Sequence, residues 1–431
     1  MVRCPTTILQ VLPKLETGGV ERGTIEITQA IRDGGGRPLV ASAGGRLVPA
    51  VARAGGRHIG LPLETKDPLN ILLNARRLRR MIRQEGVAVV HARSRAPGWS
   101  AYLAARQAGV PFVTTYHGAY ADSGWGKRLY NSVMARGDRV IATSQYVAGL
   151  IATQHRVPRD RIRIIPRGVD PAVFDPNRVS PGRLAKLAQV WRLPDGRPTI
   201  LLPARLTRWK GGPVLLDAMA RMARTDAVCV LVGSDQGRAR FSEQLVRQAD
   251  RLGLSDRLRL VGQCDDMPAA LMLADVVVSA STAPEAFGRA VIEAQAMRRM
   301  VIATDHGGAA ETVVDGMTGW RVPPGDPDAL AAAIDHALGL SQEWRDWIGA
   351  ESRASVIEHY SLAAMQAATL RVYDELAGSN LAGTACVKMS EVCDGFTGAE
   401  ISGVEVSGAE VSGVEVSGAE IRPRVVGAAQ G

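Results

Sequence analysis

The chain holds 431 residues, too many for one ordinary core and enough for two domains of roughly 150 to 200 residues each. Its 46% hydrophobic content with only 4% aromatics excludes a disordered chain and suits a Leu/Val/Ala-rich α/β protein. Five scattered cysteines, none in a Cys-x-x-Cys pair, exclude a disulfide framework and a zinc site, and no stretch approaches the roughly 18 apolar residues of a membrane span. These features predict a reducing, cytoplasmic setting. The net charge of +9 is uneven: residues 1–175 hold 26 Lys and Arg against 12 Asp and Glu, residues 176–379 hold 23 against 24, and residues 380–431 hold 3 against 7. Such asymmetry favours an anionic partner for the first half.

In chain order, Thr7 to Leu12 reads as a buried parallel strand. It is followed by the loop Gly18-Gly19-Val20-Glu21 and a helix from about Glu21 to Arg32. Strand, glycine pair and helix let backbone N–H groups approach a phosphate or sugar, although a plain tight turn has the same appearance. Further strands are predicted at Arg37 to Ala41, Arg57 to Leu61, Val87 to His91, Pro111 to Tyr116, Arg139 to Thr143 and Arg163 to Ile165. Between them, Asp67 as N-cap and Pro68 at N1 open a helix running to Gln84, apolar at Ile71, Ala75, Leu78 and Ile82. Its five arginines, Arg76, Arg77, Arg79, Arg80 and Arg83, suit either a solvated crossover helix or one lying on anionic lipid headgroups. Arg93 and Arg95 follow a strand end and are candidate acceptor contacts, and His117 follows another with Gly118 beside it.

Pro-bearing residues 176–194 read as a linker and hinge. A second α/β half then opens at Thr199 to Leu202, with strands at Val228 to Val232, Arg257 to Val261, Val276 to Ser279 and Val301 to Ala303, and a helix over Val214 to Arg224. Asp265-Asp266 before a proline suits a helix cap. A last helix spans Ser361 to about Leu376. Beyond residue 378, five units of a Ser-Gly-x-Glu-Val/Ile type cannot bury a core, so 378–431 is predicted to be a disordered acidic tail. The expected organisation is an acceptor-side domain over 1–175, the linker over 176–194, a second domain over 195–360, a helix over 361–377 that packs back on the first domain, and the tail.

The most informative stretch is Ala283 to Glu293, where Glu285 sits in a loop shaped by Pro284 and Gly288, and Glu293 lies eight positions on, in the first turns of a helix. Bare amides at that helix start attract phosphate while the carboxylates accept from sugar hydroxyls, a layout suited to a nucleotide sugar. With it stand five further motifs in order: Gly18-Gly19-Val20-Glu21, Tyr116-His117-Gly118, Gly168-Val169-Asp170, Arg205 with Lys210-Gly211, and Gly307-Gly308 with Glu311. Together they resemble a retaining glycosyltransferase of the GT-B class, family 4, from about Ile8 to Leu376.

The resemblance implies the GT-B fold, with two Rossmann-like doubly wound domains facing a cleft, and a nucleotide-diphosphate sugar as co-substrate. Arg205 and Lys210 would hold the diphosphate, and Glu285 the hydroxyls of the transferred hexose, assisted by amides near Phe287 and Gly288. Glu293 would accept from the ribose, Gly18 and Gly19 would touch the donor across the cleft, and His117 would contact the sugar ring. His117, Glu285, Arg205 and Lys210 are thus the expected catalytic residues. No metal is implied, the acceptor would be a glycan or glycolipid, and no nucleic-acid partner is expected. Retention would proceed by same-face attack, the departing phosphate taking the acceptor proton. The run His91 to Pro97 is also similar to transferases of lipopolysaccharide core assembly, which with the basic first half suggests peripheral docking on the inner membrane. The chain departs from the family at Arg167, usually Asn, at Ala204, often Gly, and at Arg298-Arg299-Met300, usually a Gly-x-Pro turn near the base. Two rivals are a sugar-nucleotide epimerase of the same fold and a non-catalytic nucleotide-sugar-binding protein.

Overall fold

The structure is a computed structural model describing residues 5–16, 18–118, 124–235 and 237–386. Seven parallel strands form the first sheet: β1 (Thr7–Val11), β2 (Arg37–Ser42), β3 (Arg57–Gly60), β4 (Val87–Ala92), β5 (Phe112–Tyr116), β6 (Arg139–Ala142) and β7 (Ile162–Ile164), in the order β3-β2-β1-β4-β5-β6-β7. Six form the second: β8 (Thr199–Pro203), β9 (Val228–Val232), β10 (Leu258–Gly262), β11 (Val276–Ser279), β12 (Met300–Thr304) and β13 (Trp320–Val322), in the order β10-β9-β8-β11-β12-β13. Both sheets are wound outward from a central pair, β1/β4 and β8/β11, and the carboxyl ends of those pairs are where such sheets bind ligands.

The apolar runs form parallel strands because both faces of each sheet are covered. In β1, Leu9 and Val11 pack with Leu39, Leu78 and Val90, while Ile8 packs on the other face with Ile27, Ile31 and Tyr373. In β8, Ile200 and Leu202 face one core and Leu201 the other. The helix Pro68–Gln84 forms as the sequence predicts: Asp67 accepts from the Asn70 amide at 2.9 Å, Pro68 costs no hydrogen bond at N1, and Ala75, Leu78 and Ile82 point inward. Asp266 likewise caps Met267–Met272, accepting from the Ala269 amide at 3.2 Å.

Four stretches differ from the sequence reading. Residues 176–194 contain the helix Pro181–Trp191, capped by Ser180, and Val179 and Trp191 are buried in the second half's core with Val230 and Ala269. The segment is therefore helical and anchored in that core at both ends, and Pro181 stands at N1, where it starts a helix. The helix expected over Val214 to Arg224 is Gly212–Met219, and the three-residue β13 went unpredicted. After the helix Leu362–Ala377 and its left-handed cap at Gly378, residues 381–386 are helical, and Leu381 is buried against Ile31 and Leu370. Order thus continues past 378, and the five repeat units lie outside the described residues.

Leu362–Ala377 packs on the first sheet although it follows the second. Ser361 caps it, its backbone bridges Val169, and Tyr373 OH lies 2.7 Å from His91 Nδ1 inside the core, with Thr115 Oγ1 2.7 Å from the other ring nitrogen. Burial holds the His91 imidazole well below its ordinary pKa, so the ring is neutral. No helix among the described residues is long and apolar enough to cross a membrane.

Candidate active site in the cleft between the sheets

The loops leaving the carboxyl ends of both sheets enclose a cleft of about 660 Å³. On the second half, β8 runs into Arg205 and then a 3-10 turn, Arg208–Lys210, that ends at Gly211. Gly211 has φ +78°, and a Cβ there would sit 1.8 Å from the Ala280 carbonyl oxygen, so only glycine lets the turn press against the end of β11. That contact brings Lys210 Nζ to 2.7 Å from Glu285 Oε1, both side chains less than one-sixth exposed. Ser281 donates a further hydrogen bond to the same carboxylate oxygen. Burial alone would raise the Glu285 carboxyl, but the charge and hydrogen bond of Lys210, helped by Ser281, outweigh it and hold the group below its ordinary value. The ammonium also lies 4.4 Å from the centre of the Trp209 ring. Gly288, in the left-handed region, opens the helix Arg289–Ala296, and both Gly288 and Arg289 line the cleft. A side cavity of about 200 Å³, between the ends of β8 and β11, shares Arg205, Lys210, Glu285 and Gly288 with the cleft.

The first half supplies the opposite wall. Gly18 and Gly19 open the helix Gly19–Asp33 and line the cleft with Glu21. Burial raises the Glu21 carboxyl, with its own backbone amide and the facing Arg205 pulling the other way. His117 lines the cleft just past β5; its Nε2 is buried with no partner among the described residues. Burial first, then the charges of Arg93 and Arg167, keep the ring neutral well below its usual pKa. Arg167, beyond β7, lies along the first helix and donates to the Gly19 carbonyl at 2.7 Å. Burial pushes its guanidinium down to about 9, with Glu26 pulling upward from 3.5 Å.

The two walls are tied at the cleft floor. Arg289 Nη2 lies 2.9 Å from Glu26 of the first half while its Nε donates to Glu293 at 2.8 Å. At the far side the Glu311 carboxylate accepts from the Gln145 and Tyr146 amides, at 2.9 and 2.6 Å, and so caps a first-half helix from the second half. Gly308 must be small there, since a Cβ would stand 2.2 Å from the Ala286 carbonyl and 2.8 Å from Ser144 Oγ.

The geometry brings Gly18, Gly19, His117, Arg205, Lys210, Glu285, Phe287 and Gly288 to one cleft. It does not bring Glu293 to the wall: that carboxylate is 8% exposed and engaged by Arg289. Arg93 does not reach an acceptor either. It is buried behind His117 and donates to Gln10 at 3.0 Å, and burial lowers its pKa. Arg95 lies on a different surface, donating to Asn131 at 2.8 Å. The turn Arg298-Arg299-Met300 packs under the helix Gln342–His359, where Gly349 meets the Arg298 carbonyl, so it lies away from the cleft.

Comparison with known proteins gives the arrangement its context. Residues 17–173 match the model for Glycosyltransferase Family 4 and residues 185–354 that for Glycosyl transferases group 1. A crystal structure of a glycosyltransferase from Rickettsia africae superposes with a TM-score of 0.80 at 37% identity, covering 86% of this chain and 98% of that one. A GDP-mannose-dependent alpha-(1-6)-phosphatidylinositol monomannoside mannosyltransferase of Mycobacterium tuberculosis is 30% identical over 300 residues, 64% of this chain and 75% of that protein. The chain belongs to the GT-B glycosyltransferases of family 4. Against the D-inositol 3-phosphate glycosyltransferase of Jonesia denitrificans it is 29% identical over 280 residues, 59% of this chain, and spans 64% of that relative's length, just under two thirds.

Within this family 4 glycosyltransferase, motif reading finds the residues that face the cleft from single loops and misses those that join the halves. Glu26 and Arg289, 263 positions apart, carry no spacing signal. Arg167 shows in the sequence only as a departure from the family's asparagine. Ser281, four residues before Glu285, could have been found as a hydroxyl flanking the motif.

Proposed function

We propose that the chain transfers a hexosyl group from a nucleotide-diphosphate sugar to a glycan or glycolipid acceptor, with retention of anomeric configuration, in the synthesis of a cell-surface polysaccharide. The observation that carries this reading is the placement of Arg205 and the Lys210–Glu285 pair at the start of the helix Arg289–Ala296, opposite Gly18, Gly19 and His117 in one cleft. The diphosphate lies against Arg205, Lys210 and the helix amides. These charges offset the negative charge that builds on the leaving group as the glycosidic bond breaks, the part a metal plays elsewhere. The nucleoside enters the side cavity between β8 and β11. Glu285, kept ionised by Lys210, accepts from the hexose hydroxyls, and the neutral His117 ring offers its buried Nε2 to the same sugar. Glu293 reaches the ribose when Arg289 releases it.

Lys210 and Ser281 both hold the same oxygen of Glu285, so this carboxylate is engaged and not a free nucleophile, and this supports same-face attack with the departing phosphate taking the acceptor proton. The relatives' names point to nucleotide-sugar donors and inositol-phosphate or phosphatidylinositol-based acceptors, and so to acceptors that carry phosphate.

The test is to incubate the protein with UDP-, GDP-, ADP- and CDP-sugars and bacterial membrane lipid, with a chelator present, and to read product anomers by NMR. One donor yielding an α-linked product from an α-linked sugar is the expected result. An inverted product, or conversion of donor to an epimer without acceptor, would replace this reading.

A further inference from the structure

The helix Pro68–Gln84 presents its inner stripe to the core and an outer stripe, at positions 69, 72, 73, 76 and 80, to the surroundings. That outer stripe changes character along its length. Leu69, Leu72 and Leu73 are 71%, 51% and 45% exposed, and Arg76 and Arg80 then continue the same line. A solvated crossover helix explains the arginines and leaves three outward leucines unexplained. A second short helix, Trp125–Asn131, shows the same contradiction, with Trp125 82% and Leu129 46% exposed beside Lys127 and Arg128.

The two helices meet at one edge. Lys66, just before the first, and Lys127 and Tyr130, from the second, line a common pocket of about 480 Å³ with Arg95, and among the described residues its wall holds these three cations and no carboxylate. Both helices follow loops from the carboxyl ends of strands, β3 and β5, so the exposed leucines and tryptophan lie on the edge of the sheet that also carries Gly18, Gly19 and His117. From residue 86 to 137 the sequence holds one carboxylate, Asp122, against six Lys and Arg.

We propose that this edge is a docking surface for an anionic phospholipid bilayer. The five apolar side chains enter the acyl boundary, Arg76, Arg80, Lys66 and Lys127 meet the headgroups, and the mouth of the cleft faces the lipid. Exposed apolar groups beside a net excess of cations, with Glu64 and Asp67 the carboxylates near the first helix, match an interface that is oily below and negative above. A protein partner of ordinary surface would not require that one-sided charge. The proposal deepens the glycolipid-acceptor reading and rests on it only for its purpose: an acceptor anchored in that bilayer would be delivered to the site without leaving the membrane.

The test uses the full chain and vesicles of phosphatidylcholine alone or with about one third phosphatidylglycerol. Flotation is expected to recover protein with the anionic vesicles only, and to lose it at about 0.5 M salt, where the Debye length is only about 4 Å. Leu69→Ser with Leu72→Ser, and Arg76→Gln with Arg80→Gln, should each weaken partitioning roughly tenfold or more while leaving the thermal shift by the donor sugar unchanged. The tryptophan emission should shift to the blue on vesicles in wild type and lose most of that shift in Trp125→Phe. Absence of binding to anionic vesicles at low salt, or equal binding by all variants, overturns the proposal. A dimer in sedimentation velocity that the double leucine variant disperses would assign the surface to a second copy. Failure of every donor to shift the wild type, with vesicle binding intact, would remove the glycosyl-transfer reading and leave the docking surface standing.

Discussion

Removing Lys210 should reverse the way acid affects the cleft. In the wild type Glu285 has a folded pKa below its ordinary 4.5, because Lys210 and Ser281 outweigh burial. A depressed folded value means that the carboxylate stabilises the fold fully above pH 4.5, and that this contribution is lost as pH falls through the folded pKa. Lys210→Met leaves a carboxylate only 13% exposed with one hydroxyl for a partner, so burial becomes the dominant influence and the folded pKa rises above 4.5. The variant then loses stability as pH rises from 4.5 through the raised value. At neutral pH the deficit should be about 3 kcal/mol, the lower end of the cost of orphaning one member of a buried pair, because this pair borders a cleft that water can enter. Urea denaturation of wild type, Lys210→Met, Glu285→Gln and the double variant from pH 5 to 8 reads both quantities. The deficit of Lys210→Met should grow with pH, and Glu285→Gln in the same background should recover much of it. A deficit that is flat with pH, or a double variant as unstable as the sum of the singles, would refute the coupling.

Other outcomes follow from single contacts. Gly211→Ala should cost about 2–4 kcal/mol in urea denaturation, because the residue is left-handed and its Cβ would stand 1.8 Å from the Ala280 oxygen. Tyr373→Phe removes the hydroxyl that His91 meets at 2.7 Å and should cost about 1 kcal/mol, since the ring nitrogen is left buried. His91 and His117 both have folded pKa values well below 6.5, so they stabilise the fold above pH 6.5 and that contribution declines on acidification. His91→Gln should flatten the wild-type loss of stability between pH 6.5 and 5, measured by thermal melts, and an unchanged slope would contradict the assignment. Glu311→Ala should cost about 1 kcal/mol by leaving the Gln145 and Tyr146 amides without their acceptor, Ser144 still capping the helix Gln145–His155. Hydrogen exchange at the Gln145 and Tyr146 amides should rise in that variant.

What the sequence reveals here depends on how far apart the cooperating residues lie. Strands such as Val228–Val232 and caps such as Asp67 are legible because each is written in a few adjacent residues: an apolar run buried on both faces, or a side chain three positions from the amide it holds. The cleft motifs are legible for the same reason, since Lys210-Gly211 and Glu285 to Gly288 each sit in one loop. Prolines misled where their position in the helix decides their effect. Pro181 at N1 begins a helix, so a segment whose prolines suit an irregular linker carries a helix that ends with Trp191 in the core. Arg93 and Glu293 show the other limit. Each carries the expected charge, yet what it faces is set by residues from distant elements, Gln10 for one and Arg289 with Glu26 for the other. The sequence marks the inward stripe of Ala75, Leu78 and Ile82, but that nothing else covers Leu69, Leu72 and Leu73 is a tertiary fact.

Binding of a nucleotide diphosphate on Arg205 and Lys210 at the start of the helix Arg289–Ala296, as proposed, should depend on the Arg205 charge. Isothermal titration of UDP and GDP into the wild type, Arg205→Ala and Arg95→Ala tests it most directly, since both arginines can be removed without opening a core and only the first faces the cleft. One nucleotide is expected to bind the wild type and Arg95→Ala alike, and Arg205→Ala at least about tenfold more weakly, the loss of roughly one charge-assisted phosphate contact. Equal affinity in all three proteins would place the nucleotide away from Arg205 and overturn the proposed site.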